Sequence, residues 1–209
     1  MVKTFLCSLL ALAAISCSEK NGIKIEWVDD LQGDYSFAKE WSYHDNVFRN
    51  TFGQLVCDGL CPEEISGMRD EAGRIYEDSL TKYYQLVDTS HISHTISSEA
   101  QCYEWLGTNS INISRLSANN IKAYTLCNPA THSSLKLYII DGKCTAEIEL
   151  SSIASSGQQI FPCNGGNIKI DKKLWDEGVM KAEFDLSFDN HLHPQDSLWW
   201  KGRIYKAID

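Results

Sequence analysis

Leu135–Leu150 constrains the fold of this chain more than any other stretch. Apolar residues alternate on both sides of Asp141-Gly142, and that dipeptide between alternating runs is a strong two-residue hairpin signal. Folding at that point sets Ile140 opposite Lys143, Ile139 opposite Cys144, Leu137 opposite Ala146 and Leu135 opposite Ile148. The last three pairs share one face. Lys136 meets Glu147 on the other, which is a favourable charge pair. Hydrophobic pattern, turn type and charge pairing agree on one register.

The same logic extends to the C-terminus. Met180, Ala182, Phe184, Leu186 and Phe188 alternate with Lys181, Glu183, Asp185 and Ser187, as in a strand with one buried face. Leu198–Ile208 is its expected partner, with Trp200, Ile204 and Ile208 inward. Ile168 and Ile170 mark another short strand. From about Ser110 onward the chain therefore reads as an antiparallel sheet system.

Upstream the signal differs. Ile25–Phe52 is rich in aromatics and reads as short strands and turns. A helix is expected from Pro62 to about residue 87. Proline suits the first helical position, Glu63 and Glu64 suit the positive end of the dipole, and Ile65, Met68, Ala72, Ile75, Leu80, Tyr83 and Val87 keep helical spacing. Gly67 and Gly73 weaken it by about 1 kcal/mol each relative to Ala. A second, shorter helix is expected from Ser98, where Ser98 and Gln101 form a capping-box pattern, to Gly107. The expected fold class is α+β: an antiparallel β-sandwich or partial barrel in the C-terminal half with two helices packed on it. A single domain over 25–209 would hold a helical part at about 62–106 and a β-rich part at about 110–209.

The first sixteen residues form a separate unit. Lys3 supplies a basic start, Phe5–Ile15 a brief apolar core, and Ser16 a small residue before Cys17. That is the pattern of a secretory signal peptide, too short to span a bilayer. The segment resembles a bacterial lipoprotein signal, with Ala14-Ile15-Ser16-Cys17 as the lipobox. The resemblance implies a mature chain that starts at a lipidated Cys17, tethered by 17–24. Together with the Cys57-Asp-Gly-Leu-Cys61-Pro62 element and the closing KAEFDLSF…WWKGRIYKAI hairpin, it is similar to small envelope lipoproteins of Bacteroidota. This implies a location in the bacterial cell envelope, on the periplasmic face or the cell surface, with the membrane as partner through N-terminal acyl chains. Asp78-Ser79-Leu80 and Asp196-Ser197-Leu198 are similar to the O-glycosylation acceptor of that phylum.

The net charge is −9 and the pI near 5.1. No basic stripe occurs, which argues against a nucleic-acid partner. Of eight cysteines, Cys7 leaves with the signal and Cys17 would be acylated. The other six, Cys57, Cys61, Cys102, Cys127, Cys144 and Cys163, are disulfide candidates in an exported chain, with fifteen possible pairings.

Four features bear on chemistry. Cys57 and Cys61 precede the expected helix, whose N-terminus would lower a thiol pKa. They fit a structural bridge, a thiol–disulfide centre or part of a zinc site. His91 with His94, and His191 with His193, are candidate metal ligands near Asp88, Asp189 and Asp196 for zinc or iron. The same histidines also fit solvated loops. Asp88, His91 and Ser93 are close in sequence, but a triad is spatial. Trp199 and Tyr205 could stack on a sugar ring, and they could equally be ordinary packing. No Gly-x-Ser-x-Gly elbow, His-Glu-x-x-His or phosphate-binding glycine loop is present. The leading expectation is a binding or structural module without a cofactor, taking a protein or carbohydrate ligand. A metal-assisted hydrolase and a thiol–disulfide protein are the alternatives.

Overall fold

Alternating sequence dominates, and the structure is accordingly mostly β. The computed structural model describes residues 22–44, 47–57, 63–126, 131–152 and 157–209. Strands make up 53% of it and helices 13%. In chain order the elements are β1 (Lys24–Val28), β2 (Trp41–Tyr43), β3 (Val47–Arg49), β4 (Leu55–Cys57), α1 (Glu63–Ser66), α2 (Leu80–Leu86), β5 (His91–Ser93), β6 (Ile96–Gln101), β7 (Ile111–Ser117), β8 (Asn120–Thr125), β9 (Ser133–Ile140), β10 (Lys143–Ser151), β11 (Gln158–Asp171), α3 (Lys172–Asp176), β12 (Val179–Phe188) and β13 (Leu198–Ala207).

One large sheet runs in the order β6-β13-β12-β11-β10-β9-β8-β7. It is a curled, antiparallel half-barrel. The β9–β10 hairpin has the register expected from its sequence, from Ile140 opposite Lys143 to Ile148 opposite Leu135, with Lys136 opposite Glu147. Asp141 (φ 50°) and Gly142 (φ 74°) both take the positive φ of a type I′ turn. β11 pairs with β12 along one edge and is long enough to serve two neighbours on the other: its first part pairs with β10, and Asn167–Asp171 pairs in parallel with β1. The changeover lies at an irregularity between Cys163 and Gly165, followed by Gly166 at φ 139°. The curl brings the two ends of the sheet together. The Arg115 amide donates to the Asp209 carbonyl at 2.7 Å, and the Thr95 hydroxyl accepts the Ile111 amide at 2.8 Å.

The inner face is filled. Ile113, Ile121, Leu137, Ile148, Ile168, Trp200 and Ile204 have no exposed surface, and Phe161 and Phe184 join them. Each such side chain contributes about 1.5–3 kcal/mol relative to exposure. A smaller cluster of Val47, Leu55, Cys57, Ile65, Tyr83 and Val87 lies between the β3–β4 ribbon and the first two helices.

The α+β expectation with two packed helices is overturned, because among the described residues only one helix reaches seven residues. The expected helix over 62–87 exists only as α1 and α2. Pro62 itself lies outside the described residues. Between the two helices Asp70 captures the backbone: its Oδ1 accepts the amides of Ala72 and Arg74 at 2.9 Å each, and its Oδ2 takes Arg74 Nε at 2.6 Å. An aspartate that bonds nearby amides competes with the helix ladder. Gly73 then takes a φ of 81°. The expected second helix is strand β6, paired with β13 from Ile96–Ile204 to Gln101–Trp199. Ser98 does not cap a helix; its hydroxyl accepts the Trp200 indole N–H at 3.0 Å.

Candidate functional site

Strand alternation that sends Phe184, Trp200 and Ile204 inward sends their neighbours outward. On β6, β13, β12 and β11 those outward residues form two rows across the sheet. One runs Glu99–Lys201–Asp185–Asn167, and the next Ser97–Arg203–Glu183–Lys169. They line a depression of about 660 Å³ whose floor includes Gly202 and Phe184. A side chain at 202 would collide with β6, since an added Cβ would sit 2.6 Å from Ser98 Cβ. Glycine therefore permits the close approach of β6 to β13.

Charge in the depression is balanced and partly paired. Lys201 Nζ lies 3.2 Å from Glu99 Oε2, and Arg203 Nη2 lies 3.2 Å from Glu183 Oε1. Asp185 and Lys169 have no ion-pair partner among the described residues. Trp199 and Tyr205 lie on the same outward face of β13 as Lys201 and Arg203, about 20 Å apart along the strand. The Trp199 indole N–H donates to Gln101 Oε1 at 2.9 Å, and Lys201 Nζ sits 5.0 Å from its ring centre. Tyr205 packs against Tyr35, whose hydroxyl is pushed up to about 12 by burial and by the Glu183 charge.

The histidine pairs do not converge. His91 packs on the Trp41 ring at 4.6 Å, whereas His94 contacts Ser42 and Glu40. Residues three apart on an extended strand face opposite sides. His191 stacks on Phe161 at 4.9 Å, and His193 lies 6.3 Å from Tyr103. Among the described residues no three His, Cys, Asp or Glu side chains are grouped as metal ligands.

The cysteines also depart from expectation. Cys102, Cys144 and Cys163 are free thiols, so no disulfide joins any two of the described cysteines. Cys57 is buried in the smaller cluster. Cys17, Cys61 and Cys127 lie outside the described residues, as do the signal peptide and lipobox. Burial pushes the Cys102 thiol up to about 11, while burial and the neighbouring Cys163 push Cys144 up to about 12.

One polar cluster was not anticipated. Ser42 Oγ lies 2.6 Å from His94 Nε2, Asn109 Nδ2 donates to Ser42 Oγ at 2.8 Å, and Glu40 Oε2 lies 3.4 Å from His94 Nδ1. Its only local signal was Glu40-x-Ser42, two residues on one face of a strand.

No family model, curated protein or solved structure matches this chain.

Proposed function

We propose that this protein is a lipid-anchored binding module of the bacterial cell envelope whose outer sheet face takes a polar, carbohydrate-type ligand. The Ala14–Cys17 lipobox pattern supports the anchoring, with acyl chains on Cys17 as the attachment. Because apolar side chains fill the inner face, the ligand belongs on the outside of the sheet. Sugar hydroxyls both donate and accept, and the two rows alternate donors with acceptors. The observation that carries the reading is Asp185 and Lys169: opposite charges in the depression, free of ion-pair partners among the described residues and available to a ligand. Trp199 and Tyr205 add aromatic surface at either end.

Calorimetry against a panel of neutral polysaccharides tests this. One member should bind, and Asp185→Asn and Lys169→Gln should each weaken it about tenfold or more, the scale of losing a hydrogen bond to a charged group. Lys82→Gln, exposed on α2, should leave affinity unchanged. Absence of binding at millimolar ligand, or wild-type affinity in both variants, overturns the reading.

A further inference from the structure

The Ser42 cluster lies on a different element from the sheet-face depression and has its own logic. β2 pairs with β5 as Trp41–Ser93, Ser42–Ile92 and Tyr43–His91. The His94 amide donates to the Glu40 carbonyl at 2.9 Å, which extends the ladder by one step. Glu40 and Ser42 therefore share one face of the ribbon, and His94 stands opposite Glu40 on that face. The imidazole lies between them, Nδ1 toward the carboxylate and Nε2 toward the hydroxyl. Asn109 reaches in from the segment before β7; its Nδ2 is 2.8 Å from Ser42 Oγ and 3.0 Å from His94 Nε2.

A single donor direction satisfies the chain. Asn109 donates to Ser42 Oγ, Ser42 donates to His94 Nε2, and Nδ1–H points to Glu40. That tautomer leaves the Nε2 lone pair on the serine proton, which is the relation a nucleophile needs with its general base. The carboxylate at 3.4 Å is a loose orienting contact, as such contacts often are before substrate binds. The His94 side chain keeps 16% of its surface exposed and Glu40 keeps 64%, so the cluster opens to solvent.

We propose that Ser42, His94 and Glu40 form a serine acyl-transfer centre that cleaves short, neutral acyl esters. Ser42 Oγ bonds to the ester carbonyl carbon while its proton passes to His94 Nε2. The carbon–alkoxide bond then breaks, and the leaving alkoxide takes that proton, leaving an acyl-serine. Water adds to the acyl carbon through the same base, the serine–acyl bond breaks, and a carboxylic acid departs as Ser42 regains its proton. The Asn109 amide, released from Ser42 Oγ as that oxygen bonds to carbon, is a donor within reach of the developing oxyanion. Glu40 is a positioning residue that holds the imidazolium. Its carboxylate and the net charge of −9 disfavour an anionic ester, which is why the substrate class is neutral.

The test uses the folded full chain with p-nitrophenyl acetate and, separately, an alkyl fluorophosphonate, followed by peptide mass mapping. Both probes should modify Ser42, and Ser42→Ala should lose the modification and the ester hydrolysis. His94→Ala should slow acylation by about a hundredfold or more, partly restored by added imidazole. Glu40→Gln should lower kcat with little change in KM. If His94→Ala does not fold, labelling of Ser42 in the wild-type chain decides alone. An unlabelled Ser42 in the folded protein, or equal acylation rates with and without His94, overturns the proposal.

Discussion

A methyl group added at Gly202 would lie 2.6 Å from Ser98 Cβ and 2.8 Å from Ser98 Cα, and closer still to the Ser97 carbonyl oxygen. Relief requires β6 to retreat from β13. β6 is an end strand of the sheet and can give, at the expense of part of its ladder with β13. Over-packing of this kind costs about 1–3 kcal/mol, so Gly202→Ala should cost about 2.5 kcal/mol. Two other glycines bracket the estimate. Gly142→Ala meets nothing within 4 Å and pays only for its φ of 74°, about 1 kcal/mol. Gly166→Ala pays twice, for a φ of 139° and for a Cβ 2.9 Å from Leu186 Cα. β11 is held on both sides and cannot retreat, so the sum is about 4 kcal/mol or more. Urea unfolding followed by tryptophan fluorescence reads all three. At an m value of roughly 2 kcal/mol/M, Gly202→Ala should lower the midpoint by about 1 M. A Gly202→Ala midpoint equal to wild type, or a Gly142→Ala loss larger than that of Gly202→Ala, would refute the reasoning.

Asp171 caps α3 and is buried. Burial alone would raise its pKa, but the amides of Leu174, Leu31 and Lys173 and the Lys181 charge outweigh that and hold it below the ordinary 3.8. The folded state thus favours the ionised carboxylate. Its stabilisation is present above pH 3.8 and is lost as pH falls through the lower folded value. Asp171→Asn should therefore be less stable at pH 7 and show a shallower loss of stability in acid, read by thermal unfolding from pH 7 to 2; an unchanged slope contradicts this. The thiols act at the other end of the scale. Cys102 and Cys144 stay protonated when folded up to about 11 and 12, against an ordinary 9.0. Their contribution is complete below pH 9 and disappears as pH rises through those values. Both should resist iodoacetamide at pH 8 until urea unfolds the chain, and rapid alkylation of Cys144 in the native protein would contradict that.

What the sequence disclosed was local. The β9–β10 register needed only Asp141-Gly142 and the residues within eight positions of it. The inward face of β12 needed only alternation, and Trp199 and Trp200 divide between the two sheet faces because adjacent strand residues must. What it concealed was long-range. Ile96–Gln101 is short and weakly alternating, and its partner β13 lies about a hundred residues away. Ser98 and Gln101 therefore suggested a helix cap, when Ser98 is the acceptor for the Trp200 indole. The helical spacing over 62–87 was real as a pattern, but Asp70 and Gly73 formed a turn inside it. His94 drew attention as half of a metal pair; its actual neighbours, Ser42 and Asn109, are 52 and 15 residues away and meet it only through the β2–β5 ribbon and the strand start at β7.

The two faces of the sheet carry separable tasks, and that separation strengthens the binding proposal. Stability comes from the inner face, where whole side chains are buried. Exposed ion pairs such as Lys201–Glu99 and Arg203–Glu183 are worth about 0–1 kcal/mol each. Scattered charges would keep this face soluble equally well. Two ordered rows lining one depression are more than solubility requires, and Asp185 and Lys169 add no ion pair among the described residues. Asp185→Asn should consequently leave the unfolding free energy from urea titration within about 0.5 kcal/mol of wild type while weakening ligand binding. A variant that lost stability and affinity in proportion would instead make Asp185 part of the framework and remove the main support for a ligand on this face.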